Sequence, residues 1–290
     1  MFLNMNLFAD ACSSFEEAEF VLYGVPFDAT SSYRKGSKWA PLEMRKASYN
    51  FETYNGDLDV DLADVPIHDM GDCDVCCAVD DTLNEVYDVA SSIVKAKKIP
   101  IMMGGEHSLT YPCVKAYKEK IGFVVMDAHY DLREEYEGVR NSHACVSRHI
   151  IDDITDKYVS IGIRSGPKEE YEYVKKNKKI RSYTANDVDG MGIDRILNET
   201  ETYLKDCDRI YLSLDMDAID PAYAPGLGTP EPFGMTPRQV RSVIRRLAPK
   251  TVGFDVVEIS PEYDQGITAQ LGAKLIRDFI AAKWKSMQKI

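Results

Sequence analysis

The chain has 290 residues and a formal net charge of −12, from 47 acidic and 35 basic side chains. This charge excludes nucleic acid and anionic membranes as favoured partners, because both carry negative charge themselves. Hydrophobic residues make up 44% of the chain and charged residues 28%, a balance that argues against disorder and supplies a sizeable core.

The sequence contains no targeting or membrane signal that we can identify. No run of about 18 apolar residues could span a bilayer, and the first ten residues lack the basic start and long apolar stretch of a signal peptide. We therefore expect a cytoplasmic protein. The seven cysteines are an odd number in a large chain, which predicts reduced thiols rather than disulfides.

Three of the cysteines lie close together, at Cys73, Cys76 and Cys77. Their spacing is that of half a zinc site, but no second CxxC pair or nearby HxxxH motif completes four ligands. We interpret them as small, partly buried thiols, with a regulatory thiol pair as the alternative.

Short apolar runs alternate with segments of helical periodicity along the whole chain. The runs interpreted as buried strands are 20–25, 99–103, 122–126, 158–163, 209–214 and 251–257. Between Asp80 and Lys97 the apolar residues fall on one helical stripe that leads into the second of these strands. Strands that alternate with helices predict an α/β fold with a parallel sheet covered on both faces.

Two further helices are predicted in the second half of the chain. Thr236 is placed as an N-cap, with Pro237 in the first helical position and Gln239 positioned to complete a capping box. Residues 266–290 form the closing helix. Because no repeat or linker interrupts the alternation, we expect one domain over residues 1–290.

Candidate ligands follow the carboxyl ends of the predicted strands, which is where sites form in parallel sheets. One strand ends in Gly104-Gly105-Glu106-His107, where the glycines permit an unusual backbone path. A single histidine after a strand is more often a hydrogen-bonded structural group than a ligand. The case for a metal site therefore depends on the residues that follow the other strands.

Two of those strands end in acidic motifs with a period of two. The strand 122–126 is followed by Asp127, His129 and Asp131, and the strand 209–214 by Asp215 and Asp217. Alternation places each set on one side of its strand. Buried carboxylates repel one another and lose hydration, so a cation between them is the simplest compensation.

With His107 these five residues supply two imidazoles and four carboxylates, enough for two divalent ions about 3.5 to 4 Å apart. The oxygen-rich set favours two Mn²⁺ per chain, while Fe²⁺, Co²⁺ and Zn²⁺ remain open. Two acid–base candidates accompany it, His143 and Glu258. Each has an ordinary structural alternative when considered alone, a histidine at a helix start and a surface carboxylate.

The ordered set GGEH, DAHYD and SLDMDAIDP resembles the arginase and agmatinase family of ureohydrolases. The likeness runs from the segment 24–28 to the segment 255–261. The resemblance implies a three-layer α/β/α sandwich on a mostly parallel sheet, assembled as a homo-oligomer, a trimer or hexamer. It further implies that the six ligands hold a binuclear manganese centre: His107, Asp127, His129, Asp131, Asp215 and Asp217.

The family mechanism implies roles for three residues. A hydroxide that bridges both metals attacks the carbon of a small cationic guanidino substrate. Asp131 orients this hydroxide and passes its proton to the leaving amine, Glu258 pairs with the guanidinium, and His143 acts as a proton shuttle. Glu258 and His143 are thus expected to bind substrate, and urea and an amine are the products.

Within the family, the segments 224–231 and 260–264 look more like agmatinases than arginases. Three carboxylates at Glu134, Glu135 and Glu137 could attract the distal amine of agmatine. Arg133 could instead meet a carboxylate, as expected for arginine, guanidinobutyrate or formiminoglutamate. The alternatives are therefore an arginase, guanidinobutyrase or formiminoglutamase, or a metal-binding scaffold without turnover.

Overall fold

The computed structural model describes residues 7–288, and a parallel sheet runs through its centre. The strands, in chain order, are β1 Phe20–Gly24, β2 Tyr54–Asn55, β3 Val60–Asp61, β4 Ile67–Asp72, β5 Ile99–Met103, β6 Gly122–Met126, β7 Tyr158–Ile163, β8 Ile180–Thr184, β9 Ile210–Asp215 and β10 Thr251–Val257. β2 and β3 form a small separate antiparallel pair. The other eight strands form one sheet.

The order of the strands across the sheet is β4-β1-β5-β10-β9-β6-β7-β8, and every neighbouring pair is parallel. The four strands with candidate site residues at their ends, β5, β10, β9 and β6, are therefore adjacent in the middle of the sheet. Their register aligns these ends, since Val256 pairs with both Met103 and Leu214, and Leu214 pairs with Met126.

Helices cover both faces of the sheet. In chain order they are α1 Ala40–Ser48, α2 Val79–Lys95, α3 Thr110–Lys115, α4 Val146–Asp153, α5 Lys168–Lys176, α6 Ala185–Met191, α7 Ile193–Tyr203, α8 Pro237–Leu247 and α9 Ile267–Met287. One apolar core packs α1 and the four helices from α6 through α9 against one face of the sheet, where Phe254 packs on Phe279. A second core packs the four helices from α2 through α5 against the other face. The three-layer α/β/α fold is confirmed.

The helix signals of the sequence correspond to real caps. Thr236 accepts a hydrogen bond from the backbone of Gln239, whose side chain accepts one from the backbone of Thr236. The closing helix ends at Met287, and the last two residues of the predicted span 266–290 lie outside the described residues. Among residues 7–288 no helix is long and apolar enough to cross a bilayer.

Two strands of the sheet were missed by the sequence analysis, β4 and β8. They are the two edge strands, and their sequences IHDMGD and IRSYT mix apolar and polar residues. An edge strand has a neighbour on only one side and is partly open to solvent, so its sequence carries no continuous apolar run.

Candidate binuclear metal site

The first ligand, His107, stands in a short 3-10 turn that begins four residues after β5. The preceding glycines are required by close packing: a Cβ on Gly105 would lie 1.9 Å from the carbonyl oxygen of Phe27, and one on Gly104 would lie 2.6 Å from Val257. Neither glycine has a positive φ. The expectation of an unusual backbone path was wrong, and the glycines instead let the turn approach its neighbours.

The Nδ1 atom of His107 faces carboxylates from two other strand ends. It lies 3.2 Å from Asp127 Oδ2, 3.1 Å from Asp131 Oδ2 and 3.2 Å from Asp215 Oδ2. All four side chains are buried or nearly so. Three predicted ligands from the strands β6 and β9 therefore meet the histidine that follows β5.

The other ring nitrogen of His107 is held by a buried hydrogen-bond chain. Nε2 lies 3.2 Å from Ser213 Oγ, and Ser213 donates to Asp255 Oδ1 at 2.6 Å. Ser213 and Asp255 pair side by side on β9 and β10. An imidazole that donates from Nε2 leaves Nδ1 as a lone-pair donor toward the carboxylates, which is the tautomer a metal ligand requires.

A second cluster lies beside the first and shares one carboxylate with it. His129 Nδ1 is 2.9 Å from Asp217 Oδ2 and 3.8 Å from Asp127 Oδ1. The ligand atoms of the two groups, His107 with Asp127 and Asp215, and Asp127 with His129 and Asp217, each fall within 4.8 Å of one another. Asp127 belongs to both, which is the arrangement that a bridging carboxylate needs.

Unsatisfied atoms at this centre fit a bound cation. His107 Nδ1 and Asp127 Oδ2 are buried and have no hydrogen-bond partner. Buried polar atoms without partners are costly, and several converging acceptors cannot satisfy one another. Carboxylate and imidazole ligands without thiolates suit Mn²⁺, Fe²⁺, Co²⁺ or Zn²⁺. The residues present therefore fit two divalent ions.

The pKa shifts in the cluster reflect the mutual repulsion of its carboxylates. Burial, together with the charges of Asp131 and Asp217, raises the pKa of Asp127 to about 7. Burial and the charges of Asp217 and Asp127 also raise the pKa of Asp215 well above its ordinary value. Burial opposes protonation of His129, but Asp217 and the other carboxylates outweigh it and raise its pKa to about 11. Protons bound by these groups thus balance carboxylate charge that a bound metal ion would otherwise balance.

Asp131 and Glu258 both adopt positive φ angles, 53° and 64°. Such angles are uncommon for residues other than glycine, and they concentrate at functional sites where surrounding contacts enforce them. Glu258 Oε1 accepts a hydrogen bond from the backbone N–H of His107 at 2.8 Å. Burial and the charge of nearby Glu106 raise the pKa of Glu258 to about 8. A cation beside Glu258 would therefore stabilise the charged form that burial and Glu106 disfavour.

His143 lies on the rim of the centre and is connected to it through Thr30. Its backbone N–H donates to Thr30 Oγ1 at 3.0 Å, and its Nδ1 is 3.2 Å from the same oxygen. Thr30 in turn donates to Glu106 Oε1 at 2.6 Å. Burial raises the pKa of Glu106 against the effect of these hydrogen bonds. Glu106 thus anchors the loop that holds His143.

A pocket opens from the cluster of candidate ligands toward solvent. Its inner part is lined by His129, Asp131, His143, Asp215, Asp217 and Glu258. An outer vestibule of about 300 Å³ continues from it, and Arg133, Tyr136 and Glu170 stand in its wall. Six of the eight predicted site residues line the inner pocket. The other two face lining residues: Asp127 faces His129, and His107 faces Asp131 and Asp215.

The loop carboxylates and the cysteine cluster are not among the residues that line the pocket and the vestibule. Glu134, Glu135 and Glu137 are exposed and are not among the residues that line the pocket and the vestibule, so their approach to a substrate amine stays a prediction. The loop turns them outward, and Glu134 pairs with Arg148. Of the cysteine cluster, Cys73 is buried and the other two are exposed, and all seven cysteines are free.

Sequence reasoning also missed residues that support the centre, namely Ser213, Asp255 and Thr30. Ser213 precedes Asp215 by two positions and therefore shares its side of β9, which is a signal that the sequence contained. Asp255 is a carboxylate inside an apolar strand, which is a second signal. Nothing in the sequence pattern singled out Thr30, because it lies in a loop far from the motifs.

Comparisons with known proteins agree with this architecture. The chain is 37% identical to the agmatinase of Bacillus subtilis, over 91% of this chain and 92% of that protein. It is 38% identical to the N(1)-aminopropylagmatine ureohydrolase of Thermococcus kodakarensis, over 93% and 92%. The structure of an agmatine ureohydrolase of Thermoplasma volcanium superposes with a TM-score of 0.94 at 43% identity, covering 99% and 97% of the two chains. Because residues 18–282 match the sequence model of the Arginase family, and the fold and the ligand clusters are consistent with that match, the chain belongs to the arginase family.

Proposed function

We propose that this protein hydrolyses agmatine to putrescine and urea at a binuclear manganese centre. The observation that carries the proposal is the pair of ligand clusters that share Asp127 at the floor of an open pocket. The six proposed ligands are His107, Asp127, His129, Asp131, Asp215 and Asp217. Similarity to proteins named agmatinase supports the choice of substrate.

Two divalent ions bound here would lower the pKa of water and thereby supply the nucleophile near neutral pH. Residues of the chain would transfer the protons and bind the substrate. Asp131 Oδ2 lies 3.1 Å from His107 Nδ1, and Asp131 also lines the inner pocket, where it can orient the attacking water and accept its proton. The same carboxylate would then pass that proton to the leaving amine.

Glu258 and His143 would hold the substrate. Glu258 lines the inner pocket, and its raised pKa of about 8 means that a guanidinium beside it would draw the carboxyl toward its charged form. Two charge-assisted hydrogen bonds to the guanidinium would orient the carbon toward the nucleophile. His143 borders both the inner pocket and the vestibule, which suits a group that moves protons to solvent.

The vestibule supports a substrate with a cationic tail. Glu170 stands in its wall and is buried, and burial together with the charge of Asp131 raises its pKa to about 7. Arg133 and His129 act on this carboxylate but do not offset its burial and the charge of Asp131, so a distal ammonium would add stabilising opposite charge. We propose that Glu170, rather than the exposed loop carboxylates, receives the tail of agmatine.

One observation favours a second candidate, a guanidino acid such as guanidinobutyrate or arginine. Arg133 also lines the vestibule, and a guanidinium there could bind a substrate carboxylate. Against this, its guanidinium lies over the ring of Tyr136 at 4.8 Å from the centroid, and only a movement of the side chain would free it.

Urea release from agmatine, arginine and guanidinobutyrate by the manganese-loaded protein tests the proposal. We expect agmatine to give the highest kcat/KM. Preference for either acid would reject agmatine as the substrate and favour Arg133 as the tail contact. Release of urea from none of the three would support a metal-binding scaffold without turnover.

Further proposals concern the whole protein. We propose a single domain over residues 1–290, supported by the unbroken sheet and its two cores. We also propose a cytoplasmic location and a homo-oligomer, a trimer or hexamer, as the family resemblance implies. Sedimentation of the purified protein tests the oligomer, and a monomer would reject it.

A further inference from the structure

A second cavity, of about 720 Å³, lies at the edge of the sheet opposite the catalytic centre. Ile99 and Val252 are in its wall, and these residues stand at the amino-terminal ends of β5 and β10. The proposed metal ligand His107 and the proposed substrate-binding residue Glu258 follow the carboxyl-terminal ends of the same two strands. A ligand in this basal cavity would therefore be remote from the reacting atoms.

The lining of the basal cavity is strongly positive, whereas the chain as a whole carries a net charge of −12. Five cations and one carboxylate border it: Lys95, Lys97, Lys98, Lys118, Arg209 and Glu119. A neighbouring cavity that shares Arg209 and Glu119 is lined instead by a near-balanced set of charges. The excess of positive charge is thus local to the basal cavity.

Most of this charge has no carboxylate partner. Arg209 pairs with Glu119 at 3.0 Å, and the Lys98 ammonium donates to two backbone carbonyls. Within residues 7–288, Lys95, Lys97 and Lys118 form no ion pair at all. The carboxyl ends of α2 and α3 point partial negative charge toward this region, about half a charge each, which is too little to balance three free ammonium groups.

The remaining wall is apolar and aromatic, with one exception that indicates a polar contact. Val94, Ala116 and Tyr117 line it, while the Oγ atom of Ser91, also in the lining, is buried without a hydrogen-bond partner. A volume of this size lies within the range of small-molecule sites, which combine apolar walls with a few polar groups. The lining thus combines positively charged side chains with an apolar surface.

We propose that the basal cavity is a binding site for a small organic phosphate, a molecule with a phosphate group and an apolar or aromatic body. The phosphate contacts the ammonium groups of Lys95 and Lys118, and the body packs on the apolar wall. Lysine is a common phosphate ligand, and a phosphate here forms charge-assisted hydrogen bonds without displacing an existing carboxylate. The site is separate from the proposed guanidino site and does not depend on it.

Calorimetric titration of the manganese-loaded protein with AMP tests the proposal. We expect saturable binding that is about tenfold weaker in the double variant Lys95→Gln with Lys118→Gln, because two charge-assisted contacts are lost. The matched control is Lys175→Gln with Lys178→Gln, which removes the same charge from exposed positions outside the cavity. We expect the control to bind AMP within about twofold of the unchanged protein.

Adenosine and inorganic phosphate separate the two parts of the ligand. We expect each to bind at least about tenfold more weakly than AMP, since each lacks one half of the interaction. Phosphate that binds as tightly as AMP would overturn the assignment to an organic phosphate. Absence of saturable AMP binding, or AMP binding that the cavity variant leaves unchanged, as expected for attachment at the metal centre, would overturn the site itself.

Discussion

The substitution Ser213→Ala tests the hydrogen-bond chain behind His107, the first proposed metal ligand. Ser213 is fully buried, lies 3.2 Å from His107 Nε2 and donates to Asp255 at 2.6 Å. Alanine removes one oxygen and leaves both neighbours without that partner. Tyr211 and Thr110 also act on the Asp255 carboxylate, whereas Ser213 is the hydrogen-bond partner of His107 Nε2.

We expect this change to weaken the binding of the metal at His107 by about 10- to 100-fold, the usual effect of losing such a supporting contact. The corresponding free energy is about 1.4 to 2.7 kcal/mol. The metal at His129 should be affected far less, because its ligand histidine does not contact Ser213. Two classes of manganese site should therefore separate in a titration of the metal-free protein followed by calorimetry.

The matched control is Ser160→Ala on β7. Ser160 is equally buried in the same sheet and donates to Ser182 at 3.0 Å, but it has no contact with a proposed ligand. We expect the control to lose stability without losing metal affinity. If both variants bind manganese equally, or if Ser213→Ala binds it within about twofold of the unchanged protein, the supporting role of the chain is refuted.

Three further predictions concern the reaction and its pH dependence. Asp131→Asn should lower kcat for urea release by about 10²- to 10⁴-fold while the protein stays folded, because it removes the proton acceptor; near-normal turnover would contradict that role. Glu170→Gln should raise the KM for agmatine about tenfold with little change in kcat, because it removes a charged contact to the tail; steady-state kinetics with an unchanged KM would reject the contact. In the metal-free protein the pKa of Asp127 is raised to about 7 and that of His129 to about 11, so both groups bind more protons in the folded than in the unfolded chain. The stability that Asp127 contributes therefore falls as the pH rises from about 4 to 7, and the stability that His129 contributes falls as the pH rises from about 6.5 to 11. Metal binding requires these groups to be deprotonated, so it strengthens as the pH rises. In scanning calorimetry the difference in Tm between metal-loaded and metal-free protein should therefore grow from pH 6 to pH 8. A difference that shrinks over this range would contradict the prediction.

The sequence was informative about the centre of the sheet because buried parallel strands have a simple pattern. Each central strand is a short apolar run, and a polar motif directly after such a run marks its carboxyl end. The motif Asp127, His129 and Asp131 is therefore visible without coordinates, as is the pair Asp215 and Asp217. The edge strands β4 and β8 were missed because partial exposure removes the apolar signal on which this reasoning depends.

The supporting contacts were not accessible in the same way. Thr30 and His143 are 113 residues apart in the chain, and Ser213 and Asp255 are 42 residues apart. Periodicity describes which side of its own element a residue faces, but it does not state which element lies opposite. For the same reason the loop carboxylates from Glu134 onward could be offered only as one hypothesis for the substrate tail, whereas the fold leaves them exposed and puts Glu170 in the wall of the vestibule.

By itself the sequence determined the identity and chain order of the proposed ligands, the α/β alternation and the family resemblance, because all three are local patterns. Only the tertiary structure decided that β5, β10, β9 and β6 are neighbours, that Asp127 belongs to both clusters, and which side chains line the vestibule and the basal cavity. The physical reason is that strand order and loop direction are set by the packing of both apolar cores together, which no single segment encodes.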